Sequence, residues 1–200
     1  MNGPEATMRT TRRSFLAVPL LAVLAGCAHS PRSGGSTRPA DYYPLAVGSE
    51  WTWEDQSPQL PAGSPALRTV RVLERTADGY FKDSARGELR VGACIEDRVR
   101  SLLCGPIATG TRWSSVLTPT STERYEIVAV GERVVTPAGT FGGCVRVRSI
   151  TRASADTELI NEISYAPGVG PVRIEVITVR KGKAVPQFRA VLRSHRQGSQ

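Results

Sequence analysis

Short stretches that alternate apolar and polar residues recur along this chain, and they dictate a sheet. Thr69-Val70-Arg71-Val72-Leu73-Glu74 follows the pattern, as do Leu89-Arg90-Val91-Gly92-Ala93, Cys144-Val145-Arg146-Val147-Arg148 and Pro171-Val172-Arg173-Ile174-Glu175-Val176. Successive side chains on a strand point to opposite faces, so this period sends one set inward and the other to water. Arginine is the usual outward residue. Val, Ile, Thr and Tyr fill the runs, as pleated surfaces prefer. Glycines fall between the runs at Asp78-Gly79, Ala138-Gly139, Pro167-Gly168 and Lys181-Gly182-Lys183. These are the residues that hairpin turns need for positive φ. No amphipathic helix of ordinary length interrupts them. The pattern predicts an all-β domain of about ten strands, too many for one flat sheet and therefore curled into a half-barrel or barrel.

One segment repeats. Pro44-Leu45-Ala46-Val47-Gly48-Ser49-Glu50-Trp51 and Pro106-Ile107-Ala108-Thr109-Gly110-Thr111-Arg112-Trp113 share four of eight residues. Val70–Arg75 and Val128–Arg133 are loosely alike downstream. The echo predicts a turn that releases the chain into a strand headed by tryptophan, used twice in two similar meanders. Chance similarity is the alternative, because one short motif is thin support for a repeat.

The first 26 residues belong to no fold. Arg12-Arg13 precede an apolar run of 11 residues, Phe15 to Ala25, that ends in Leu24-Ala25-Gly26-Cys27. A span needs about 20 apolar residues, so this reads as a cleaved export signal. The last four residues resemble the lipobox of bacterial lipoproteins, which implies that Cys27 becomes the lipid-bearing first residue of the mature chain. Thr11-Arg12-Arg13-Ser14-Phe15-Leu16 also resembles a twin-arginine signal, and ordinary secretion remains the alternative. Ala28 is not the aspartate associated with inner-membrane retention, which leans toward the outer membrane. The expected address is the periplasmic side of a bacterial envelope, held through lipid.

Residues 27–40 are rich in Ser, Gly, Pro, Thr and Arg and read as a lipidated flexible tether. Residues 41–200 suit one domain with a single core. Removing Arg9, Arg12, Arg13 and Glu5 with the signal brings the net charge from +8 to +6. A nucleic-acid binder is also basic, but these arginines are spread along strands in an exported chain. They read as solvated faces, with attraction to anionic headgroups as a secondary role.

Three cysteines remain in a compartment that permits disulfides. Cys94 and Cys104, on neighbouring segments, are the best pair, with Cys144 as the alternative partner. Metal sites want clustered Cys and His; the histidines are His29, in the tether, and His195, near the end. No metal or cofactor is expected. With one histidine in the domain, a Ser-His-Asp or Cys-His arrangement is not expected either. Glu54-Asp55 and Glu96-Asp97 are adjacent, so each pair points to opposite faces of a strand and forms no working couple. The glycines around Phe141 lack the Lys-Ser/Thr of a phosphate loop.

Trp51 and Trp53 share a strand face, and the repeat brings Trp113 into a comparable position. In an open half-barrel these rings line an apolar pocket. In a closed one they fill the core.

Three further motifs carry a resemblance. Tyr42-Tyr43-Pro44-Leu45 with Gly48 and Trp51 looks like the opening of a family of uncharacterised bacterial envelope lipoproteins. Thr136-Pro137-Ala138-Gly139-Thr140-Phe141 with Cys144 looks like its central motif. Tyr165-Ala166-Pro167-Gly168-Val169-Gly170 followed by Val172-Arg173 looks like its closing motif. The family is a domain of unknown function, and the resemblance implies a curved antiparallel sheet similar in outline to periplasmic lipoprotein carriers. It implies no activity. The leading expectation is a non-enzymatic module that binds an apolar ligand or an envelope component. The alternatives are an accessory subunit of an envelope assembly, docking by a strand edge, and an envelope hydrolase.

Overall fold

The computed structural model describes residues 38–60 and 66–198. The signal 1–26, Cys27 and most of the tether lie outside the described residues. The fold starts inside the segment read as tether: Pro39 is buried in a 3-10 turn, Pro39–Tyr42. Twelve strands follow among the described residues. They are β1 (Glu50–Asp55), β2 (Ala66–Arg75), β3 (Phe81–Asp83), β4 (Glu88–Val91), β5 (Cys94–Glu96) and β6 (Ser101–Cys104), then β7 (Arg112–Thr118), β8 (Ser121–Thr136), β9 (Gly139–Ser154), β10 (Thr157–Ala166), β11 (Gly170–Arg180) and β12 (Lys183–Arg196). The domain is all-β, as the alternation predicts. The count exceeds ten because β3 and β5 have three residues each, too few to display a period.

All twelve strands form one sheet in the order β6-β5-β4-β3-β2-β1-β12-β11-β10-β9-β8-β7. Strands adjacent in sequence are paired except β6 and β7, and β1 pairs antiparallel with β12. The chain therefore runs as two six-stranded meanders whose outer strands, β6 and β7, are the sheet's edges. Those edges meet through side chains. The Trp113 indole N–H donates to the Ser101 carbonyl at 2.6 Å, and the Ser101 N–H donates to the Ser115 hydroxyl at 3.0 Å. Both Ser101 backbone groups, which an edge strand leaves open to a further strand, are thus met from β7. The result is a nearly closed barrel with a seam.

The repeat governs how each meander begins. Gly48 and Gly110 both have positive φ, 85° and 89°, a region that glycine enters without steric cost. Ser49 N–H bonds Ala46 O at 3.0 Å, and Thr111 N–H bonds Ala108 O at 3.1 Å. Gly48 and Ser49 then bracket Val72 with two backbone bonds, as Gly110 and Thr111 bracket Ile127. The looser likeness between Val70–Arg75 and Val128–Arg133 is out of register with these bonds, which match Val72 to Ile127. The tryptophans that follow go to different work. Trp113 closes the seam, whereas the Trp51 indole donates to Val169 O at 2.8 Å, in the turn between β10 and β11.

Many of the outward arginines are paired across strands as well as solvated. Arg146 and Arg148 flank Glu162 across β9 and β10 at 3.3 and 2.6 Å. Arg193 meets Glu54, Arg196 meets Glu50 and Arg189 meets Glu175. Most are exposed cross-strand pairs, each contributing about 0–1 kcal/mol. Their larger effect is on register, since a slip by one residue sets them against apolar side chains.

Inside, two apolar clusters fill the barrel. One holds Trp51, Trp53, Val72, Val134, Cys144, Val172 and Leu192; the other holds Tyr42, Ile95, Leu103, Ile127, Val145, Val147 and Tyr165. Tyr43 packs against both. One end of the barrel is plugged by the three motifs that carry the family resemblance. Tyr43 meets Trp51 edge-on at 5.3 Å, and Gly168 N–H donates to Asp41 O at 2.7 Å. The Ala138 N–H, at the tip of the β8–β9 hairpin, donates to Leu192 O at 3.1 Å. That contact sits beside a bulge where the β1–β12 ladder skips Arg193.

Candidate functional site

The barrel's inner wall changes character away from the plug. Register across β8, β9, β10, β11 and β12 defines rows of side chains on one face. The row Ile127–Val147–Ile163–Ile174–Ala190 is wholly apolar. The next, Tyr125–Ser149–Asn161–Val176–Phe188, is mixed. The one beyond begins at Glu123 and Thr151. Polar groups on the inward register of a strand are costly unless bonded, and here they bond to one another.

At this end lies a half-open cavity of about 140 Å³, lined by Arg100, Leu102, Glu123, Tyr125, Val147, Ser149, Asn161, Ile163 and Ile174. It has room for about five waters at ~30 Å³ each. Its floor is the Glu123 carboxylate, 4 % exposed. Tyr125 Oη donates to Glu123 Oε2 and Ser149 Oγ donates to Glu123 Oε1, both at 2.6 Å. Asn161 Nδ2 donates to Ser149 Oγ at 3.4 Å. Burial and the bond to Glu123 push the Tyr125 phenol far above its ordinary range. The phenol stays a neutral donor, and its ring stacks on Trp113 with 5.3 Å between centroids. The seam and the pocket are therefore one structure. Arg100 stands at the rim. Burial works against its charge, but its bonds to Asp97 outweigh that and hold its pKa above normal.

The residues singled out from sequence lie elsewhere. Trp51 and Trp53 are 2 % and 8 % exposed and pack in one cluster, while Trp113 packs against the other. The three rings share no pocket wall; the first two fill the interior next to the plug. Cys94 and Cys104 are disulfide-bonded across β5 and β6. Cys144 is a buried free thiol, and burial lifts its pKa to about 11, far from the reactive thiolate range. Glu54, Glu96 and Asp97 are engaged by Arg193, Arg90 and Arg100. His195 packs on Trp51, 6.0 Å between ring centroids, and burial lowers its pKa. Among the described residues no group of three or more His, Cys, Asp or Glu is placed to hold a metal ion.

Sequence reading passed over Glu123, Tyr125, Ser149, Asn161 and Arg100. A signal was present: in Glu123-Arg124-Tyr125-Glu126-Ile127 the first glutamate shares a face with the tyrosine and the isoleucine. A charge on the apolar register of a strand marks a buried polar site.

Two solved structures align with the chain. A candidate lipoprotein from Parabacteroides distasonis aligns at 16 % identity and a TM-score of 0.43, over 78 % of this chain and 98 % of that one. A candidate exported protein with a YmcC-like fold from Bacteroides fragilis aligns at 16 % identity and a TM-score of 0.47, with the same coverage. No family model and no curated protein matches the chain.

Proposed function

We propose that this chain is a lipid-anchored protein on the periplasmic side of a bacterial envelope, where it acts as a non-enzymatic binding module. The pocket over Glu123 is its site. The observation that carries the reading is the inner wall's gradient: one end plugged by aromatic rings, the other a half-open cavity with apolar sides and a polar floor. Small-molecule sites have this composition. The Cys94–Cys104 bridge fits an oxidising compartment, and the lipobox ending at Cys27 supplies the anchor. Support for a non-enzymatic role comes from the arginine pairing of the acidic candidates and from the packing of His195 on Trp51.

Two measurements test the proposal. Cys27→Ser is expected to abolish acylation and move the protein from the membrane to the soluble fraction, with the domain still folded. Unchanged processing and membrane attachment overturn the anchoring. Native mass spectrometry of the intact chain, gently extracted from its own membranes, is expected to show a bound small molecule. Repeated recovery of empty protein counts against the binding role.

A further inference from the structure

We infer that the Glu123 pocket selects a protonated amine carried on a short apolar stem. The inference rests on the reading of the cavity as a binding site and names the ligand class it takes.

Hydrogen-bond polarity comes first. A hydroxyl has one proton to give. Tyr125 gives its proton to Glu123 Oε2, and Ser149 gives its proton to Glu123 Oε1. Asn161 points its amide N–H at Ser149. These donors are directed into the wall: two converge on the carboxylate and the third on Ser149 Oγ. What remains on the floor itself is acceptor capacity: the further lone pairs of Glu123 and of the Tyr125 oxygen. A ligand head that fits must bring donors.

Charge points the same way. The ionic groups around the cavity are Glu123, Arg100 and Asp97. Arg100 is committed to Asp97, with Nε and Nη2 each 2.7 Å from Oδ2. That pair is neutral as a unit, so the net charge left is the single negative charge of Glu123. A carboxylate this buried gains from an opposite charge in direct contact, because charged hydrogen bonds are the strongest available. An anionic ligand would set its own lone pairs against these acceptors, and the Arg100 charge is already neutralised by Asp97. A divalent cation site draws on several protein ligands at once, and a single carboxylate makes a poor one.

The walls set the rest of the ligand. Leu102, Val147, Ile163 and Ile174 rise around the floor. They offer an alkyl stem the burial that water alone denies it. The cavity's 140 Å³ admits a stem of a few carbons and no larger ring system. A larger amphiphile would seat only its ammonium end.

The test compares three probes of equal length on the full-length chain in maltoside micelles: n-butylammonium, n-butanol and butyrate. Affinity is read by calorimetry, and position by the methyl NMR signals of Ile163 and Ile174. Butylammonium is expected to bind about tenfold tighter than butanol, the value of one charge-assisted hydrogen bond, and to move both isoleucine methyls. Glu123→Gln is expected to remove the preference, so that butylammonium and butanol bind the variant equally. Equal binding of butylammonium and butanol to the native chain overturns the amine selectivity but leaves the pocket as a binding site. So does tightest binding of butyrate, or a Glu123→Gln chain that keeps the preference. No binding by any probe overturns both the selectivity and the pocket. The native-chain comparison holds whether or not the variant folds.

Discussion

Trp51→Ala is expected to destabilise the domain by about 3–5 kcal/mol, the usual cost of deleting a buried aromatic. A domain of this size has about 5–15 kcal/mol in total, so the loss is a large share. Trp51 is 2 % exposed and ties the opening motif to the closing one. Its ring meets Tyr43 edge-on at 5.3 Å, and its indole N–H donates to Val169 O at 2.8 Å. Truncation leaves a cavity, strands a carbonyl and frees Tyr43 at once. Urea unfolding provides the measurement: the midpoint should fall with little change in slope, because the surface exposed on unfolding stays similar. Trp113→Ala provides the comparison. Trp113 stacks on Tyr125 at the seam and is only half-buried, so it should cost less than Trp51→Ala. A seam variant as damaging as the plug variant would reverse the ranking of the two repeats.

The plug also explains why the motif residues are what they are. The opening, central and closing motifs lie far apart in the chain, yet Tyr42 Oη reaches Gly143 O at 3.4 Å across a separation of 101 residues. Trp51 reaches Val169 across 118. Reading the segments singly reveals turns and aromatic strand starts, but not that they close one end of a barrel.

Strand content was legible because period two is a local property. Arg146 and Arg148 announce an outer face, and Val145 and Val147 an inner one. The turns at Gly79, Gly139, Gly168 and Gly182 were legible for the same reason, since positive φ is written in residue type. The Cys94–Cys104 pair was within reach because ten residues separate the two cysteines. What alternation does not encode is which strands become neighbours. Nothing in Glu50–Asp55 announces pairing with a strand near the other end of the chain, and that pairing joins the two meanders into one sheet. The site escaped for a related reason. Besides Tyr125 two residues on, Glu123 is explained by Ser149, 26 residues away, and by Asn161 beyond it. The local sequence puts Glu123 on the face of Tyr125 and Ile127, but does not show the distant groups that meet it there.

Gly170→Ala should be the most damaging change of a single methyl group in the closing motif, at about 2–4 kcal/mol. Two separate costs combine. Gly170 has φ +108, where an L side chain is strained. An added Cβ would also sit 2.8 Å from Tyr43 Cδ2, 3.0 Å from Cε2 and 3.3 Å from the Trp51 indole nitrogen. Neither ring has room to retreat, because Tyr43 packs against both core clusters. Gly168→Ala separates the costs. Gly168 has φ +71 and nothing within 4 Å of an added Cβ, so only the backbone penalty of about 1–2 kcal/mol applies. The excess at Gly170 measures the aromatic clash. That excess should shrink by about 1 kcal/mol or more when Gly170→Ala is made in a Tyr43→Ala background, because residues in contact are not additive. Equal losses at the two glycines, or no coupling to Tyr43, would mean that the close approach of ring to backbone is not what fixes glycine at this position.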